Sequence, residues 1–174
     1  MRLFKSVPEE LRRHIIAAEF EPGIIDSYHG EDKLWKLLQF MNDEPFWCSA
    51  FNVLGNRRIS PNALKYFSRL QQRLLYSSTR LAPGWAEVSF LNDFSGADLD
   101  VREYLLGWVF AMIQEQYGAA LNLAERAKMK FEEPLFEELL KVTVKKLKRD
   151  CVWSKRLFAA LISRMGRGLR RGVK

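Results

Sequence analysis

The sequence predicts an all-α fold: a single compact helical domain of about six or seven helices over residues 1–165, followed by a mobile basic tail over residues 166–174. Three observations carry this expectation. Apolar residues recur at i, i+3 and i+4 through most of the chain, which places them on one face of a helix. Serine, proline and glycine punctuate the runs where helices begin and end. With 174 residues, 48% hydrophobic and 13% aromatic, the chain is long and apolar enough to bury its own core and lies outside the disordered class.

The first helix opens at Ser6-Val7-Pro8-Glu9, which fits a capping box, and runs on through Leu11, Ile15, Ile16 and Phe20 to a stop near Pro22-Gly23. A second, from about Glu31, carries Leu34, Trp35, Leu37, Leu38 and Met41 on one side. A short third runs from Pro45 to Gly55, read as a C-cap glycine. Ser60-Pro61 starts a fourth, with Leu64, Phe67, Leu70, Leu74 and Leu75 facing the core and Lys65, Arg69 and Arg73 forming a cationic row.

Between Leu81 and Asp98 the helical period is lost, and this stretch reads as a long loop anchored by Trp85, Phe90 and Phe94. The fifth helix, from about Leu99 to Arg126, has the wide apolar face of a central helix, with Leu105, Trp108, Val109 and Met112. Glu133-Pro134 opens a sixth, and a seventh runs from Cys151 to Met165. The expected core is Leu11, Ile15, Leu38, Phe46, Leu64, Phe67, Leu70, Leu105, Trp108, Val109, Met112, Leu139, Phe158, Leu161 and Ile162.

Charge is distributed unevenly. Residues 141–174 hold twelve cations and one acid, so they are net +11 in a chain of net +7, and the first 140 residues are net −4. A local excess of this kind marks a surface for phosphate-bearing partners or anionic lipid. On the sixth helix Lys141, Lys145 and Lys148 recur on one side with Arg149 beside them. On the seventh, Trp153 falls among Arg156 and Arg164, and Arg167, Arg170 and Arg171 follow in the glycine-broken tail.

Arginine and lysine gain from polyanions by releasing counterions, and an aromatic ring among them suits a stacked base. The pattern therefore points to a non-enzymatic nucleic-acid-binding protein of weak sequence specificity, with RNA or another single strand favoured and Lys65, Arg69 and Arg73 as a secondary stripe. The alternative is a matrix-like assembly protein that self-associates into a homo-oligomer and whose basic amphipathic C-terminal region meets an anionic membrane surface or a ribonucleoprotein. In composition and expected fold class the plan is similar to viral matrix proteins and accessory nucleoproteins and to small bacterial or phage nucleic-acid-binding proteins, a likeness that covers no specific residues.

Catalytic signatures are missing: the chain has no GxSxG, Walker loop, GxGxxG or paired CxxC. No cofactor, metal ligand set or catalytic residue is assigned. The one gathering of acids with an imidazole, Asp26, His29, Glu31 and Asp32, reads as a surface turn before a helix. Cys48 and Cys151 are expected as buried free thiols in a reducing compartment. With no leader or spanning segment in the pattern, an intracellular, cytoplasmic location is expected, and Lys145 to Arg149 also has the composition of a nuclear import signal.

Overall fold

A computed structural model describes residues 2–25, 30–95 and 98–153 of the chain. It corrects the fold class. The protein is mixed α/β, built on a three-stranded antiparallel sheet of order β1-β3-β2, with β1 Ala17–Phe20, β2 Phe46–Asn56 and β3 Ala82–Asn92. The helices are α1 Arg2–Ser6, α2 Glu9–Arg12, α3 Leu34–Met41, α4 Pro61–Leu64, α5 Arg69–Ser78, α6 Val101–Ile113, α7 Tyr117–Phe131 and α8 Pro134–Trp153. Two compact units result, residues 1–110 and residues 111–174.

All three strands replace expected helix or loop, each for a physical reason. The expected loop at 81–98 is the central strand. Ala86, Val88 and Phe90 are buried on one face of β3 and alternate with Glu87 and Ser89, a two-residue period that spans only five positions between the turn residues Pro83-Gly84 and Asn92-Asp93; Ser89 and Leu91 are buried on the other face. The expected third helix is β2, rich in the aromatic and branched residues that suit a pleated surface. It pairs with β3 from Phe46↔Asn92 to Asn56↔Ala82, with irregularities at Cys48/Ala50 and Leu54/Gly55. Gly55 is therefore no helix cap. It lies where a Cβ would fall on the Ala82 carbonyl oxygen of the facing strand.

The expected first helix ends after Arg12, and Ala17–Phe20 pair instead with Leu91–Val88. Ser6 closes α1, its hydroxyl donating to the Leu3 carbonyl at 2.7 Å, and Pro8 takes the N-cap position of α2. Tertiary pairing with β3 overrides the local helical pattern here.

The first unit's core is formed by Leu37 and Met41 of α3 with Phe46, Ala86, Val88 and Phe90 of the sheet. Phe4 closes it, its ring set edge-on to Phe20, Phe40 and Phe46 at 5.4, 6.1 and 5.8 Å. Asn92 locks the entry to β1: its Nδ2 donates to the carbonyls of Arg13 and Ile15, and its Oδ1 accepts from Phe94 N–H. Arg12, half-buried, clasps Glu44 through Nε at 3.0 Å and Nη2 at 2.8 Å, and the hydrogen bond to Glu44 raises its pKa.

Of the expected core, Phe46 is buried, whereas Leu11, Leu38, Phe67 and Leu70 are exposed, and Phe158, Leu161 and Ile162 lie outside the described residues. On α3 the buried stripe is Leu37 and Met41, and Trp35 and Leu38 project away from it. Phe90 and Phe94 are buried as expected, but Trp85 is exposed. Both cysteines are exposed free thiols; Cys48 sits on an edge strand, and partial burial there pushes its thiol pKa up. The expected helix from Leu99 to Arg126 is two helices. Glu115, at φ 58°, takes the left-handed conformation between α6 and α7.

Candidate functional site

The second unit carries the chain's positive excess in sequence, and α8 is the described part of its basic segment. Glu132, left-handed at φ 53°, caps α7, and Pro134 opens α8, so the two helices form a hairpin. On α7, Ala120, Leu123, Ala124 and Ala127 are buried; on α8, Phe136 and Thr143 are fully buried. Small side chains on α7 admit the larger ones of α8, and the rings of Phe131 and Phe136 stack at 6.0 Å. Thr143 satisfies its hydroxyl on the Leu139 carbonyl at 2.8 Å. Burying that side of α8 turns Lys141, Val142, Lys145, Lys148 and Arg149 outward, and all five are exposed.

These cations differ in how far they are already engaged. Lys141 contacts Glu138 at 2.8 Å and Glu137 at 3.3 Å, hydrogen bonds that raise its pKa, and Lys128 of α7 reaches Glu137 at 3.4 Å. Lys146 bonds Asp150 at 2.7 Å and lies 4.6 Å from the centre of the Tyr117 ring; the bond to Asp150 is the main cause of its raised pKa. Arg149 makes only a 3.8 Å approach to Asp150. Lys145 and Lys148 have no carboxylate within ion-pair distance among the described residues. Trp153 is the last described residue of α8; Arg156, Arg164, Arg167, Arg170 and Arg171 lie outside the described residues, as does the tail at 166–174.

The secondary stripe belongs to the first unit, in the segment that joins β2 to β3. It is not the continuous row expected. Lys65 follows α4, while Arg69 and Arg73 are on α5, which starts anew at Ser68: the serine hydroxyl accepts from Gln71 N–H at 3.3 Å and the Gln71 side chain accepts from Ser68 N–H at 2.9 Å. Arg57, Arg58 and Arg80 join these three, and no acid occurs from Pro45 to Ala86. The sequence reading missed those arginines because they flank the helices and share no helical face with the stripe. Arg57, Arg58 and Ser60 line a cavity of about 570 Å³ between the end of β2 and the helices, with Leu64 and Leu75 behind them.

His29 and Asp26 lie outside the described residues, and Glu31 is committed to Lys33 at 2.9 Å. His14, expected within the first helix, follows α2 and places Nδ1 2.7 Å from Glu103 Oε1, while the other carboxylate oxygen of Glu103 accepts from the N–H of Asp100 in the cap of α6. Among the described residues no three histidine, cysteine or carboxylate side chains group so as to hold a metal ion, and no helix is long and apolar enough to cross a membrane. Compared with protein-family models, with curated proteins and with solved structures, the chain matches none. The likeness to viral matrix proteins and nucleoproteins rested on an all-α plan and falls with it.

Proposed function

We propose that the chain is a non-enzymatic nucleic-acid-binding protein that holds the phosphate backbone, single strands and RNA above all, on the outward face of α8 and the cations that follow it. The observation that carries this reading is the pair Lys145 and Lys148, exposed on the side of α8 away from its buried stripe and with no carboxylate within ion-pair distance among the described residues. Seven further cations and no acid occupy residues 154–174, so the sequence extends the same charge. A lysine already paired with a carboxylate must give up that partner to neutralise a phosphate and displace its condensed counterions, whereas an unpaired one does so without that cost. Lys145, Lys148 and Arg149 are therefore the principal contacts on the described part of α8, and Lys141 and Lys146 are secondary.

Contacts to phosphate carry no sequence information, so binding is weakly specific. The test is retention of a labelled single-stranded RNA by the full chain. Lys145→Glu with Lys148→Glu should weaken binding to unrelated sequences alike, and equal retention by the variant would refute the reading. If a base stacks on Trp153, Trp153→Ala should lower single-strand affinity by about 1–3 kcal/mol and leave duplex affinity nearly unchanged.

A further inference from the structure

The outward side of α5 carries two rows. Leu70 and Leu74, one turn apart, are 67% and 55% exposed, and Arg69 and Arg73 run one turn apart beside them. Tyr66, 77% exposed, stands in the turn before the helix, with Lys65 Nζ 5.2 Å from its ring centre. The periodicity assigns these leucines to the core. Instead Gln72 turns inward, its amide donating to the carbonyls of Leu64 and Phe67, and Leu75 lines the cavity beneath. A helix that keeps a glutamine on its inner side and two leucines in water has an apolar surface with no partner inside the first unit's fold.

The chemistry around that surface selects its occupant. Lys65, Arg69 and Arg73 stand beside the leucines and no acid occurs on α5 or the segment around it, from Pro45 to Ala86, so an anionic partner fits this surface. A nucleic-acid strand would engage the arginines and leave Leu70 and Leu74 in water. A bilayer that carries anionic phospholipid engages every feature at once: leucines enter the acyl boundary, Arg69 and Arg73 meet the phosphates, and Tyr66 lies at the headgroup level. We propose that α5 lies in the interface of an anionic membrane, with Leu70 and Leu74 inserted and Arg69 and Arg73 paired to lipid phosphate. This surface is on the first unit and is independent of the nucleic-acid reading of α8.

Flotation of the full chain, treated with nuclease, tests it on vesicles of phosphatidylcholine alone and of phosphatidylcholine with about one part in three phosphatidylserine. The chain should float with the mixed vesicles only. Leu70→Ser with Leu74→Ser, and separately Arg69→Gln with Arg73→Gln, should each lower the partition coefficient by about tenfold. These side chains are exposed, and unchanged circular dichroism would confirm that the variants keep their fold. Lys145→Gln with Lys148→Gln should lower the partition coefficient less than either α5 pair does. Flotation unaffected by the leucine substitutions, lost only with the α8 substitutions, or absent altogether would each overturn the proposal. RNA retention, measured in parallel, reports on α8 separately.

Discussion

At the scale of single residues, the pairing of β2 with β3 depends on a missing side chain. Gly55 meets the backbone of Ala82 and Gly84 where the two strands go out of register, and a methyl group there has no room unless a strand moves. Gly55→Ala should destabilise the chain by about 1–3 kcal/mol in urea denaturation, the cost of forcing atoms into packed backbone. Stability equal to the native chain's would mean that the strands do not approach as described. Asn92 shows the opposite kind of residue effect: its side-chain amide is satisfied by three backbone groups, so a polar residue ends a strand at the core without cost to hydrogen bonding. Neither role is legible in sequence, since a glycine and an asparagine near turns have many commoner uses.

At the scale of elements, what could be read depended on how each element is buried. The starts of α4 and α8 stand in the sequence as Ser60-Pro61 and Glu133-Pro134 because caps are local chemistry, and Ser68 with Gln71 carried the same signal for α5. The strands were harder to read: β3 shows its alternation only over Ala86-Glu87-Val88-Ser89-Phe90, among turn residues, and β1 is short and entered from a helix-like run. The basic face of α8 was readable because its buried stripe and its cations both follow the helical period, but which lysines are engaged depends on Glu137, Glu138 and Asp150 in three dimensions. Glu137 supplies a pH test of the α7–α8 hairpin. Hydrogen bonds from Lys141 and then Lys128 hold its carboxyl below the ordinary carboxylate value. A depressed carboxyl contributes stability that is present above its unfolded-state value, about 4.3, and is lost as the pH falls through the lower folded-state value. Glu137→Gln should therefore be less stable than the native chain near neutral pH and converge with it in acid; a stability difference that persists unchanged into acid would contradict the pairing.

At the scale of the whole molecule, charge follows the division into units. Residues 1–110 hold 13 basic and 14 acidic side chains, and residues 111–174 hold 15 and 7, so the chain's positive excess belongs to the second unit. The asymmetry was plain in the sequence because counting needs no structure. The fold class was not, because the sheet is made by pairing residues up to 74 positions apart, Ala17 with Leu91, and no local window contains that pairing. Within the positive unit, Lys145 and Lys148 are the proposed phosphate contacts. The most direct measurement is the affinity of a labelled single-stranded RNA across a series of salt concentrations, for the native chain and for Lys145→Gln with Lys148→Gln. Each phosphate contact on a single strand contributes about 0.7 to the logarithmic salt slope, so losing two should flatten it by about 1.4. A slope unchanged by the two substitutions, or no RNA binding by the native chain, would contradict the account.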